Sequence, residues 1–237
     1  MVPDGGRKGR RREPGRGGAS PLSGENGKRD AEGARAWLEK AVAGGSQEAK
    51  VSLATLHLTG VGVPRDPDRA ALLLRQAAEA GFAPAARNLG HLRSGQFDCS
   101  ADFEDAARWY RIGAEAGDAE SQYRLALLLR AGKGVAKSPS DAVEQLRRAA
   151  ANGHGNAAFE LGVACCTGDG TLRDVGEGAR FYAAAAAAGH KVAMFNWGVM
   201  LRDGVGVEAD EESGRTWIAR AAEAGLTEAR VALESGK

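Results

Sequence analysis

The sequence predicts an all-α fold, a right-handed superhelical solenoid of about 5.5 antiparallel helix hairpins with a 36-residue period. Three observations predict it. Glycines recur at that interval at Gly45, Gly81, Gly117, Gly153, Gly189 and Gly225. A bulky apolar register recurs with them at Leu53, Leu89, Leu125, Leu161, Trp197 and Leu233, and Ala or Gly follows each of the first five. Between these markers the apolar residues fall at helical spacing, so that they share one face. Self-similarity at a fixed period of this size is the signature of stacked supersecondary units.

Each unit reads as two helices. The first runs from about Ala49 to Thr59, with Ala49, Leu53 and Leu56 on one side. It stops at a Gly-x-Gly turn, seen as Gly60-Val61-Gly62, Gly132-Lys133-Gly134, Gly168-Asp169-Gly170 and Gly204-Val205-Gly206. The second helix starts at a capping residue, Asp66, Asp102, Ser138, Asp174 or Asp210, and Pro67 and Pro139 hold the first helical position in two copies. A bulky position follows at Trp37, Leu73, Trp109, Gln145, Phe181 and Trp217, then a small pair such as Ala77-Ala78, and Gly81 or its equivalent ends the helix. Helices this short are unstable alone, so stacking must supply the stability.

The array divides into a half repeat over 31–48, five repeats over 49–228 and a terminal half repeat over 229–237. The small position after the recurring leucine becomes Glu234 in the last copy. A carboxylate there is incompatible with a following helix, so the stack is expected to end with Glu234 facing water.

Residues 1–30 differ in kind. They are rich in Gly, Pro and Arg, contain one leucine, and hold eight Lys/Arg against four acids. Such a segment buries too little apolar area to offset its ordering entropy and is expected to be a disordered basic tail. The remainder is an ordinary globular composition, 43% hydrophobic and 27% charged in a chain of net charge +1. No apolar run approaches the roughly 20 residues that span a bilayer, so no membrane partner is expected. Three cysteines, Cys99, Cys165 and Cys166, form no disulfide framework and no zinc spacing, and they suit packing in a reducing compartment. The expected location is cytoplasmic, or nuclear in a eukaryote.

This layout resembles the Sel-1-like repeat family of tetratricopeptide-type solenoids. The resemblance rests on Leu89-Gly90, Leu161-Gly162, the turn Gly60-Val61-Gly62-Val63, the capping Asp and Ala221-Ala222-Glu223-Ala224-Gly225, and it covers about Ala34 to Leu233. It departs from the pattern at Gly95-Gln96-Phe97-Asp98, where a different turn is expected, and at His57, Arg93, Leu129, Cys165 and Leu201, where the family usually has Tyr. The resemblance implies an adaptor or scaffold that binds another protein. A cysteine-rich branch of the family is associated with β-lactam binding or hydrolysis, but its paired cysteines are missing here, so a β-lactamase-like hydrolase is the disfavoured alternative. A nucleic-acid-associated adaptor, acting through Arg7 to Arg12, is the other.

No residue set has catalytic spacing, and the Gly-x-Gly turns lie between helices instead of after a strand, which removes a nucleotide fingerprint. No enzyme activity, cofactor, metal or small-molecule substrate is expected. His154 and His190 share a register past the closing glycine and read as solvated loop residues, while His57 and His91 pack or line a groove. The first helices are expected to line a concave groove. Its partner-binding residues are a polar row, Ser52, Asn88, Arg124, Glu160 and Asn196, beside a row that turns apolar along the chain, Thr55, His91, Leu127, Val163 and Val199. Tyr123, Phe159 and Phe195 precede the polar row and belong more to the core. A polar ladder beside an apolar strip suits an extended peptide or a partner helix, bound by a monomer.

Overall fold

The computed structural model describes the backbone of residues 25–234 and the side chains of 33–97 and 99–234. Twelve α-helices and one short 3-10 turn make up the described residues, with no strand among them. Helix α1 (Glu25–Ala43) precedes five hairpins: α2 (Gln47–Thr59) with α3 (Pro67–Glu79), α4 (Ala83–Arg93) with α5 (Phe103–Glu115), α6 (Ala119–Ala131) with α7 (Pro139–Ala151), α8 (Gly155–Thr167) with α9 (Val175–Ala187), and α10 (Lys191–Asp203) with α11 (Glu211–Glu223). Helix α12 (Thr227–Glu234) closes the array. Each helix packs on the one before and the one after it, so the chain is one continuous solenoid.

Two boundaries shift. Helix α1 starts at Glu25, inside the segment expected to lie outside the fold, because a low apolar content argues against a core and not against a helical backbone. Residues 1–24 of the expected basic tail lie outside the described residues. The first helix of each hairpin begins about two residues earlier than its apolar pattern suggested, since Ser46 caps α2 by accepting from the Ala49 amide at 3.1 Å.

The second helices start as expected. Asp66, Asp102, Asp174 and Asp210 accept the amide three residues on at 2.8–3.0 Å, and Ser138 does so at 3.4 Å. Each such cap satisfies an amide that the helix itself leaves unpaired.

Packing within a hairpin is set by matched sizes. Gly90 lies against Tyr110, and a Cβ on it would stand 2.5 Å from the ring. Gly162 faces Tyr182 and Gly198 faces Ile218 in the same way, each with a hypothetical Cβ contact of 2.8 Å. Where the facing residue is Leu74 or Leu146, the small position carries Ala54 or Ala126. A second pair varies together between repeats. Gly113 makes room for the buried Ser121, while the other copies have Ala at both positions. Close packing of this kind leaves no slack for an extra methyl.

Between repeats the joint is the second glycine of the turn. Gly170, at φ 77°, lies on the carbonyl of Pro139 at the start of α7, and Gly134 and Gly206 take the same position against Phe103 and Val175. The second repeat departs, as its sequence predicts. Both left-handed positions move one residue earlier, to Gly95 (φ 91°) and Phe97 (φ 64°), around the 3-10 turn Gln96–Asp98. Phe97 adopts a backbone region that costs a bulky residue roughly 1–3 kcal/mol, and the Arg65 guanidinium donates to its carbonyl.

The ends follow from the lack of neighbours. Trp37, in the register where Leu73 and Trp109 are 3% and 4% exposed, is 71% exposed, since among the described residues no hairpin covers α1 from the other side. Leu233 is likewise uncovered and Glu234 faces water, as expected of a terminal helix.

Two stability predictions result. Gly153→Ala, at a left-handed position in open space, should cost about 1 kcal/mol, whereas Gly170→Ala should cost clearly more, since backbone must also move; urea midpoints measure both. Gly90→Ala should destabilise by about 1–3 kcal/mol, and adding Tyr110→Leu should recover part of that loss in a double-mutant cycle.

Candidate partner-binding face

The polar row lies along α2, α4, α6, α8 and α10, with Ser52 exposed and Asn88, Arg124, Glu160 and Asn196 half-buried. Several rungs are already engaged. Arg124 Nε donates to Glu120 at 2.5 Å, and Arg130 donates to Glu160 at 2.6 Å. Asn196 lies close enough to the Tyr182 hydroxyl to oppose the upward push that burial gives its pKa. In the second row, Thr55 bonds back to the Val51 carbonyl at 3.0 Å, and Leu127, Val163 and Val199 are half-buried. His91 Nδ1 sits 2.9 Å from the Tyr110 hydroxyl, which is 3.3 Å from Ser94 Oγ.

His154 and His190 are not solvated loop residues. Each caps the helix that follows it, with ring Nδ1 accepting from the Ala157 and Ala193 amides at 3.1 Å. Each ring also stacks on an aromatic residue of the preceding repeat, His154 on Tyr123 at 4.6 Å and His190 on Phe159 at 4.2 Å between centroids. His154 Nε2 reaches Glu120 at 2.8 Å. A half-buried cap leaves no room for the hydration that the loop position suggested. At the equivalent positions the chain uses an ion pair, Arg87 to Asp118 at 2.9 Å, and apolar contacts of Val51 and Phe82 with one core cluster and of Phe195 and Leu226 with another. One repeat-to-repeat joint is thus filled by three kinds of chemistry. Only a comparison of positions 31 residues apart would have exposed it in the sequence.

A cleft of about 430 Å³ with a mainly apolar lining opens beside the rows, between the end of α4 and α6. Arg124 and Leu127 line it with Ser94, Gln96, Phe103, Tyr110, Leu128, Ala131 and Lys133. The cleft therefore gathers two expected residues with several that sequence reasoning did not single out. Their signal was the irregular Gly95-Gln96-Phe97-Asp98 turn, which forms one wall. His91 stands behind that wall, where Gln96 Nε2 lies 3.3 Å from its Nδ1.

The electrostatics are those of a structural surface. Bonds from His154 and then Arg124 outweigh desolvation and hold the Glu120 carboxyl at about 2. Burial pushes the Cys165 thiol up to about 11, with Glu177 3.5 Å away adding to it, which disfavours a reactive thiolate. All three cysteines are free. Among the described residues no three His, Cys, Asp or Glu side chains cluster as metal ligands, and no helix is long and apolar enough to cross a membrane.

The fold and face define a helical-repeat solenoid. Five consecutive 36-residue segments of the Sel1 repeat, 47–82, 83–118, 119–154, 155–190 and 191–226, match the chain, with a partial one at 21–46, and the protein belongs to the Sel1 repeat family. A Sel1 repeat protein from Oxalobacter formigenes is similar in structure, with a TM-score of 0.73 and 26% identity over 85% of this chain and 80% of that one. A protective antigen of uropathogenic Escherichia coli with an SLR fold gives 0.61 at 23% identity, over 85% of this chain and 52% of the other. An immunity protein of Pseudomonas aeruginosa gives 0.51 at 19% identity, over 83% and 74%. No curated protein sequence matches the chain.

Burial holds the His91 and His190 imidazoles below their ordinary value of 6.5. The unfolded chain then binds protons more readily than the fold as pH falls through that range, so stability should drop between about pH 7 and 5. Glu120, depressed from 4.5 to about 2, adds a further loss below about pH 4.5. Urea midpoints should fall accordingly, and His190→Asn, which keeps a capping side chain, should flatten the upper part of the slope.

Proposed function

We propose that this protein is an adaptor or scaffold whose first-helix face binds a peptide or helix of a partner protein. Sel1 repeat proteins are generally scaffolds for protein interactions, and the family assignment supports the same role here. The observation that carries the reading is the face itself. Helices α2, α4 and α6 approach one another across repeats, which suits an inner, concave wall. Along that wall the half-buried polar row runs beside His91, Leu127, Val163 and Val199. Side chains of this mixture bond a partner's polar groups while the strip covers its apolar ones. The protein acts as a monomer in the cytoplasm, and binding instead of bond-making is its activity.

Co-purification from the native organism tests the proposal. Wild type is expected to retain a specific partner that Arg124→Glu loses, with the helical circular dichroism unchanged. Equal recovery by both would remove this face from the partner site.

A further inference from the structure

We propose that the cleft between α4 and α6 seats a bulky apolar side chain of a partner peptide, flanked in that peptide by acidic residues. The inference rests on the adaptor reading and names the occupant and the anchor point. The floor is apolar, formed by Phe103, Leu127, Leu128 and Ala131, and the volume lies in the range of roughly 300–1,000 Å³ typical of ligand pockets. The Tyr110 hydroxyl and Ser94, already bonded to each other and to His91, form a satisfied wall that asks nothing of the occupant.

Charge selects the flanks. Among the described side chains, the cationic ones that line the cleft are Arg124 and Lys133, and no carboxylate lines it. Arg124 is tied to Glu120 through Nε. Lys133 is exposed, has no ion pair among the described residues, and its ammonium lies over the Phe103 ring at 5.4 Å from the centroid. An apolar floor under such a rim favours an apolar residue with a carboxylate beside it. Burial keeps His91 neutral near pH 7, so it adds no charge behind the wall. The chain's own segment 1–24 is a poor occupant, with Arg7, Lys8, Arg10, Arg11, Arg12 and Arg16 against Asp4 and Glu13.

A random octapeptide display library panned against the full chain, with and without Ala131→Trp to fill the cleft and Lys133→Glu to reverse its rim, tests this. Peptides enriched on wild type should pair an aromatic or aliphatic residue with Asp or Glu. A synthetic copy should bind at least about tenfold more weakly to each variant. Lys133→Glu alters only an exposed side chain, so its result stands even if Ala131→Trp misfolds. No enrichment, basic consensus peptides, or equal binding to Lys133→Glu would overturn the cleft, while a native partner retained in co-purification would leave the adaptor role standing. Self-association abolished by Leu172→Ser, at the 88% exposed Leu172 beside Asp169, would also overturn it in favour of a second copy.

Discussion

The contact between a small residue on one helix and a bulky one on the next sets the rest of the structure. Gly90 against Tyr110, Gly162 against Tyr182 and Gly198 against Ile218 let backbone and side chain meet without a Cβ between them. Because each helix is eleven to thirteen residues over most of the array, no element is stable by itself. Stability is instead shared along the stack, each hairpin covering the apolar face of the previous one. The exposed Trp37 and Leu233 show what that face looks like where coverage stops.

Such a joint need not be chemically uniform. The cap of each first helix meets the preceding repeat through an ion pair at Arg87 and Asp118, through stacked rings at Tyr123 and His154 and at Phe159 and His190, and through apolar contacts elsewhere. Each solution is internally matched, so exchanging one partner alone would pair a charge with a ring. The variation also alters the inner face, since Glu120 and Arg124 are drawn into the network around His154. Two rungs of the polar ladder, Arg124 and Glu160, are therefore held in place by ion pairs.

The irregular second repeat shapes the cleft between α4 and α6. Moving both left-handed positions one residue earlier, onto Gly95 and Phe97, brings Gln96 to the edge of the cleft that Arg124 and Leu127 line. A regular Gly-x-Gly turn occupies the corresponding place in the other hairpins. Individuality in this array enters at the place where the repeat is broken.

By itself the sequence determined the helices, the caps of the second helices and the period, because these depend on local chemistry: a carboxylate or hydroxyl at a helix start, a glycine at its stop, apolar residues on one face. Asp66, Gly81 and Glu234 behave as their neighbours in the chain require. Only the tertiary structure decided the roles of His154 and His190, the engagement of Glu120, and the cleft around Phe103, Tyr110 and Lys133. Those features join residues about 30 positions apart, and whether a histidine there meets water or a ring depends on how closely two hairpins stack. That distance is fixed by packing along the whole array, and no short stretch of residues encodes it.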